Sequence, residues 1–221
     1  MPGSPLDGAV SSRLPPGVAG HVETLLGRQP VEVRVVRPRR SKLGDHRPPQ
    51  RGVRVHRITI NDDLNPYAFL TTLLHEVAHA STWERYRDHR RRGVRPHGSE
   101  WQAEFGAVLR PLVGRGVLPS VVEAALAKSL EAPAATTCSD RGLVLALAQF
   151  DTARPGHVRV EDLPERSVFR GPNGVVFRAG RRLRTRRQCF ELRTGREYRV
   201  HGLALVEAMT AFVDAPRRRS R

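Results

Sequence analysis

The chain is poor in cysteine, in lysine and in long apolar segments. It has 221 residues but only two cysteines, Cys138 and Cys189, so neither a disulfide framework nor a four-cysteine zinc ribbon can form. Few cysteines also fit a reducing compartment. No stretch approaches the roughly 18 apolar residues of a membrane-spanning helix, and the opening MPGSPLDGAV lacks the apolar run of a secretory signal. We therefore expect a cytoplasmic protein that makes no contact with a membrane.

Acidic residues are scarce as well. The chain has 22 Asp and Glu residues and 38 Lys and Arg residues, which gives a formal net charge of +16. Lysine occurs only at Lys42 and Lys128, so nearly all of the positive charge comes from arginine. A genome that favours arginine codons would explain the arginine but not the net charge. Two interpretations stay open: a surface that binds a polyanion such as nucleic acid, or solvated charge without a partner.

Composition and periodicity divide the chain into five parts. Residues 1–16 are rich in Pro, Gly and Ser, and we expect them to be disordered. Residues 17–132 alternate strand-like and helix-like segments, and residues 133–155 form a connecting segment with one helix. Residues 156–206 contain short alternating segments rich in arginine, typical of a small basic β module. Residues 207–221 hold the end of a C-terminal helix and a basic tail. The predicted fold class is α+β.

Local signals place the first elements. Residues 31–38 and 53–60 alternate apolar and polar side chains as strands do, and the segment between them has the Pro and Gly content of a loop. Asn65 followed by Pro66 predicts the start of a helix, because the asparagine side chain can accept a backbone N–H and proline needs no donor in the first turn. The predicted helix is apolar on most sides.

The most informative motif is HEVAH, which spans residues 75 to 79 inside this apolar helix. Residues four apart lie on one helix face, so His75 and His79 can present two ring nitrogens to one metal ion. Glu76 lies about 100° around the helix from His75, where it can act on a water molecule without binding the ion. The pattern predicts hydrolysis in which zinc activates water and the carboxylate transfers the proton. The alternative is a histidine pair without a metal, which is costly in so apolar a helix.

A catalytic zinc site needs a third protein ligand, and two residues compete for this role. His97 ends a loop just before Ser99 and Gln102, which predict a capping box at the start of the next helix. That helix can fold back and present His97 to the metal. Glu100, in the first turn of the same helix, is the alternative ligand.

The segments ITINDDL, LLHEVAHA and HGSEW together resemble the SprT-like zinc metalloproteases, which include the Spartan proteases of DNA–protein crosslink repair. The resemblance covers roughly residues 20 to 113. It implies a compact, zincin-like metalloprotease domain with Glu76 as catalytic base and a zinc ion bound by His75, His79 and His97. The later segment RLRTRRQCFELRTGREY resembles the C-terminal region of some bacterial members. Many members carry a four-cysteine zinc ribbon there, whereas this chain has only Cys189, so the β module should fold without metal.

Arginines crowd two places that could contact nucleic acid. One group lies between the second and third zinc ligands and the other in the β module: Arg90, Arg91 and Arg92, and Arg181, Arg182, Arg184, Arg186 and Arg187. Arginine binds phosphate through a fork of N–H donors, so we predict DNA as a partner in addition to protein substrates. The alternative is that these arginines form ordinary solvated faces.

The sequence therefore predicts a zinc metallopeptidase that cleaves proteins on or near DNA. Two alternatives stay open. One is a nucleic-acid-binding protein with a non-catalytic zinc site, and the other is a general cytoplasmic peptidase without a role on DNA. No pattern indicates an oligomeric state.

Overall fold

The computed structural model of the protein describes residues 6–39, 41–86, 94–131 and 140–209. The chain separates into two compact units, residues 1–152 and residues 153–221. Among the described residues, no helix is both long enough and apolar enough to cross a membrane.

The first unit combines helices with a small sheet. Its helices are α1 (Gly8–Ser11), α2 (Ala19–Leu26), α3 (Pro66–Tyr86), α4 (Ser99–Leu109), α5 (Ser120–Glu131) and α6 (Arg141–Leu147). Its strands are β1 (Val31–Val36), β2 (Gly44–Arg47) and β3 (His56–Asn61). The sheet order is β1-β3-β2, with β1 parallel and β2 antiparallel to β3. Ile58 and Ile60 of the central strand are fully buried, because alternate residues of a strand face the same side.

The long helix α3 begins where the sequence predicts. The Asn65 side-chain oxygen accepts the backbone N–H groups of Tyr67 at 3.1 Å and Ala68 at 3.0 Å. Pro66 occupies the first turn, where no donor is needed. Most residues of the helix are buried, and it packs against α4, β2 and β3. Polar side chains on α3 are therefore held among apolar neighbours.

Three expectations for this unit are wrong. Part of the first 16 residues, expected to be disordered, forms α1 and buries the apolar side chains of Leu6, Val10 and Leu14. The predicted loop between the first two strands contains β2, which pairs with β3. Helix α4 begins at Ser99, but its N-cap is Gly98, and among the described residues no side chain caps it. The Ser99 hydroxyl donates to Glu100 instead, so the predicted capping box does not form.

The second unit is a sheet with its own core. Its strands are β4 (His157–Arg159), β5 (Val168–Arg170), β6 (Val176–Arg182), β7 (Arg186–Glu191), β8 (Glu197–His201) and β9 (Leu205–Met209), in the order β4-β9-β5-β6-β7-β8. Its core centres on Phe169 and Cys189, which are fully buried. Residues 207–209, expected at the end of a helix, belong to β9, and residues 210–221 lie outside the described residues. The described residues thus form a mixed α+β protein, as predicted.

Candidate metal centre

Two histidines of α3 begin the site. His75 and His79 lie one helical turn apart and are half-buried, whereas residues 69–74 and 76–78 around them are buried. Their Nε2 atoms are 3.2 Å apart. The helix therefore directs both rings to one opening in the core.

His97 joins this pair from the loop before α4. Its Nε2 atom is 3.1 Å from Nε2 of His75 and 3.1 Å from Nε2 of His79. The backbone of His97 has a φ of 60°, in the left-handed region, just before Gly98 caps α4. The buried ring of Trp101 packs against all three imidazoles, with centroid separations of 4.6 to 5.4 Å. The three rings are therefore fixed by packing as well as by their own backbone.

Three equivalent ring nitrogens that face one another need a common partner. A neutral imidazole nitrogen either donates or accepts, so the three contacts cannot all be good hydrogen bonds. Two imidazoles on one tetrahedral zinc ion have nitrogens about 3.3 Å apart, close to the 3.1 to 3.2 Å found here. Within the described residues, these histidines are the one group of His, Cys, Asp or Glu side chains arranged to hold a metal ion. The donor set fits a divalent metal.

The competing ligand Glu100 is not part of this group. Its carboxylate accepts a hydrogen bond from the Ser99 hydroxyl at 3.1 Å. Of the two residues considered as third ligand, the structure brings His97 to the pair on α3.

Burial keeps the histidines uncharged. Burial, together with the neighbouring histidines, lowers the pKa of His75 to about 3. Burial and the charge of His97 lower the pKa of His79 to about 4, and burial also lowers the pKa of His97. At neutral pH all three rings therefore offer a lone pair, which is the form that binds a metal.

Glu76 of α3 is only 7% exposed. Burial, with the charge of Asp45, raises the pKa of Glu76 to about 7 against the opposing charges of Arg39 and Lys42. Gly44 of β2 makes room for the side chain, since a Cβ at this position would lie 2.6 Å from Oε1 and 2.9 Å from Cγ of Glu76. A carboxyl group with a pKa near neutrality suits proton transfer, because it can accept a proton and then return it.

One cavity of about 600 Å³ joins these groups. His75, Glu76, His79 and His97 line one part of it. The other walls come from residues 41–46, which lead into β2, and from side chains of α3 and α6. The three histidines and the carboxyl group thus border a space that can hold part of a larger molecule.

A hydrogen-bonded chain of side chains runs beside this cavity. Nε2 of His46, on β2, is 2.8 Å from Nδ1 of His56, and Nε2 of His56 is 3.0 Å from Oε1 of Glu84. His56 is fully buried, and the ring of His46 lies parallel to that of His79 at a centroid separation of 6.2 Å. The chain connects β2, β3 and α3 next to a candidate ligand. No sequence motif predicts these residues. The one signal in the sequence is His56, a histidine at the start of the apolar strand β3.

The arginines predicted to contact nucleic acid differ in whether the structure describes them and in how exposed they are. Arg90, Arg91 and Arg92 lie outside the described residues. Four of the predicted arginines in the second unit are exposed and lie between the end of β6 and the start of β7: Arg181, Arg182, Arg184 and Arg186.

The prediction for Arg187 is wrong. Its side chain is 2% exposed, and its guanidinium donates to the backbone carbonyls of Gly180, Val160 and Leu163. Alternate residues of β7 face the core, and Arg187 lies on that inner face with Cys189. It is therefore unavailable to a phosphate group.

Comparison with known proteins gives a family match over one segment of the chain. Residues 22–114 match the model described as the SprT-like family, which is associated with metallopeptidases. No curated protein and no solved structure matches the chain. The match runs from α2 to just beyond α4 and includes the three histidines and Glu76. The predicted resemblance is confirmed over this segment, and α5, α6 and the second unit lie outside it.

Proposed function

We propose that the first unit, in which residues 22–114 match the SprT-like family model, is a zinc-dependent metallopeptidase of the H-E-x-x-H type with a zincin-like architecture. The observation that carries the proposal is the convergence of three histidine Nε2 atoms and one buried carboxyl group on a single cavity. Uncharged nitrogens and a carboxyl group with a pKa of about 7 are the groups that metal-assisted hydrolysis requires.

Zinc suits the donor set of His75, His79 and His97. Three imidazole ligands with a free position are typical of catalytic zinc, whereas structural zinc is usually closed by four protein ligands. When bound, zinc lowers the pKa of water and polarises the carbonyl group of a substrate.

Glu76 supplies the proton transfer in this proposal. Its carboxylate takes a proton from the attacking water and delivers it to the leaving amine. Gly44 leaves space for the carboxylate beside β2, and burial shields it from bulk water. The chain from His46 through His56 to Glu84 holds the His46 ring against His79, which stabilises the position of that ligand.

A nucleic-acid-binding protein with a non-catalytic zinc site is the alternative. It is less well supported, because the described residues offer three ligands rather than four and these ligands border a large cavity.

The experiment is a comparison of zinc-loaded wild type with Glu76→Gln on an unfolded protein substrate. We expect the variant to retain one zinc per chain and to lose about 10²- to 10⁴-fold in cleavage rate, since it lacks the proton acceptor. Glu100→Gln, in a residue outside the histidine cluster, is the matched control and should keep its activity. Full activity of Glu76→Gln would remove Glu76 as the base, and zinc binding without any cleavage by the wild type would favour the non-catalytic alternative.

We extend the proposal to protein substrates held on DNA, in the cytoplasm. The support is the run of exposed arginines in the second unit: Arg181, Arg182, Arg184 and Arg186. Nearby, Arg178 lies over the ring of Phe190 at 5.6 Å and Arg196 over the ring of Tyr198 at 5.5 Å, so basic and aromatic groups lie side by side. Two cysteines in 221 residues favour a reducing compartment.

The test neutralises these four arginines with glutamine and leaves the buried Arg187 intact. The wild type should bind single-stranded DNA with a log–log salt slope of about −0.7 for each phosphate contact. The variant should show a flatter slope and should lose any stimulation of cleavage by DNA, while its cleavage of a DNA-free substrate stays unchanged. If the wild type does not bind DNA at low salt, the role on DNA is excluded and the alternative of a general peptidase remains.

A further inference from the structure

The cavity has an apolar wall that lies outside the segment matched by the family. Val144 and Leu147 of α6 line it, at a distance in sequence from the match, which ends at residue 114. Both side chains are half-buried, whereas Leu143 and Ala146 on the same helix are buried in the core. Helix α6 therefore packs through one face and presents another to the cavity.

A hydrogen bond joins the end of α6 to the start of the helix that carries the histidines. The Asn65 amide nitrogen donates to the Leu147 carbonyl at 3.0 Å, while its side-chain oxygen caps α3. At the other end of α6, the Asp140 carboxylate accepts the backbone N–H of Leu143 at 3.1 Å. The end of α6 is thus tied to the N-cap of α3, and the start of α6 has a cap of its own.

A further apolar side chain lines the same cavity. Leu43, just before β2, belongs to the lining and is 39% exposed. Ala68 of α3 lines the cavity as well. The lining therefore combines the polar groups of the histidine site with the apolar side chains of Leu43, Ala68 and α6.

The neighbouring strand indicates what kind of molecule fits. Gly44 and Asp45 of β2 border the cavity, and among the described strands β2 pairs with β3 alone. An edge strand offers unpaired backbone N–H and C=O groups, which bind an extended polypeptide. Side chains of such a polypeptide alternate, so some of them point into the space between β2 and α6.

We propose that Leu43, Val144 and Leu147 form an apolar subsite that binds a bulky aliphatic or aromatic side chain of the polypeptide substrate. The inference rests on the proposed function, because it takes a polypeptide as the molecule in the cavity. The subsite gives the protein a sequence preference, and two of its three residues, Val144 and Leu147, lie outside the segment matched by the family. We expect it to determine binding rather than bond cleavage, because none of its three side chains belongs to the histidine cluster.

The experiment measures binding without cleavage. One leucine is moved along an otherwise Gly- and Ser-rich fluorescent peptide, and its affinity for zinc-loaded Glu76→Gln is measured by anisotropy. At one position, leucine should bind about tenfold more tightly than serine, since a buried leucine side chain contributes roughly the free energy of that ratio. Equal affinities at every position would overturn the proposal.

Substitutions then assign the preference to α6. Val144→Ser, made in the Glu76→Gln background, should reduce the leucine preference to about threefold or less, whereas Leu145→Ser on the same helix, outside the cavity lining, should keep it. Leu147→Ala is a second variant with the same expected direction, in case Val144→Ser does not fold. Equal effects of Val144→Ser and Leu145→Ser would overturn the assignment.

Cleavage of the same peptides by the wild type separates the two proposals. If the peptides bind with the leucine preference but none is cleaved, the proposed function fails and the subsite stands. If all peptides are cleaved and bound equally, the peptidase stands and the subsite fails.

Discussion

The two units treat buried polar groups in opposite ways. In the second unit, the buried guanidinium of Arg187 donates to three backbone carbonyls of its own unit. In the first unit, three histidine nitrogens face one another at 3.1 to 3.2 Å and cannot all satisfy each other. A buried polar group whose partners are all within the chain stabilises the fold. Buried ring nitrogens that converge on one point beside a cavity are arranged for a ligand.

The strongest test of this contrast removes one histidine at a time. His79→Ala and His97→Ala should each lose nearly all of the one zinc bound per chain, because a divalent ion held by two imidazoles is weakly held. Glu100→Gln, next to the site but outside the cluster, should keep its zinc. Metal content after gel filtration measures the effect, and a reversed order of His97→Ala and Glu100→Gln would move the third ligand to Glu100.

Arg187→Met should destabilise the second unit and leave zinc binding unchanged. The substitution leaves three buried carbonyls without their donor, at a cost of about 3 to 5 kcal/mol. Arg186→Met, at the exposed neighbouring position, should change the free energy of unfolding by less than about 0.5 kcal/mol. Hydrogen exchange of residues 176–191 measures both variants, and equal protection in the two would show that Arg187 is not a structural residue.

When a chelator removes the metal, Glu76 and His75 should make opposite contributions to the pH dependence of the protein's stability. Burial raises the pKa of Glu76 to about 7 from 4.5, so between these values the folded state binds more protons than the unfolded state and its stability falls as pH rises. Burial lowers the pKa of His75 to about 3, so below 6.5 the unfolded state binds more protons and stability falls as pH falls.

Glu76→Gln separates these opposing contributions. It should be as stable as the metal-free wild type below pH 4.5 and more stable above pH 7, by at most about 3 kcal/mol. The histidine contribution is common to both proteins and cancels in the difference. Urea denaturation at several pH values measures it, and a difference that does not vary with pH would mean that Glu76 has an ordinary pKa in the folded state.

The smallest effect concerns the space around Glu76. Gly44→Ala places a Cβ within 3 Å of the Glu76 side chain and of Thr72, so the carboxylate or β2 must shift. We expect about a tenfold loss of peptidase activity, because a small displacement of a proton-transfer group is enough to cost this much. Zinc content should stay at the wild-type value. Gly142→Ala, on the exposed first turn of α6, is a control with more room, and a Gly44→Ala protein as active as this control would exclude the close approach.

The parts of the site that could be predicted from sequence depend on neighbours along the chain. The Asn65 cap, the helix that follows and the pairing of His75 with His79 all follow from spacings of four residues or fewer. His97 could be ranked above Glu100 because it ends a predicted loop just before a helix. These inferences use geometry that is nearly independent of the rest of the fold.

What the sequence did not reveal depends on distant segments. Gly44 approaches Glu76 because β2 packs beside α3, and Val144 lines the same cavity although it lies 68 residues further along the chain. The error at the N-terminus has another cause, since its Pro, Gly and Ser content concealed three apolar residues spaced four apart: Leu6, Val10 and Leu14. For Arg187, the alternation with Cys189 was available, but a guanidinium inside a small core was not expected.

The left-handed backbone of His97 has a consequence for the kinetics of metal exchange. His75 and His79 lie on one long helix and share its rigidity, whereas His97 lies on a loop with a φ of 60° that few residues other than glycine adopt. Dissociation of an ion should therefore begin at His97, with the helical pair as the last contact. The residence time of the ion then depends on how fast the backbone at His97 changes conformation. A substitution that eases this change would shorten the residence time without altering the contacts made by His75 and His79.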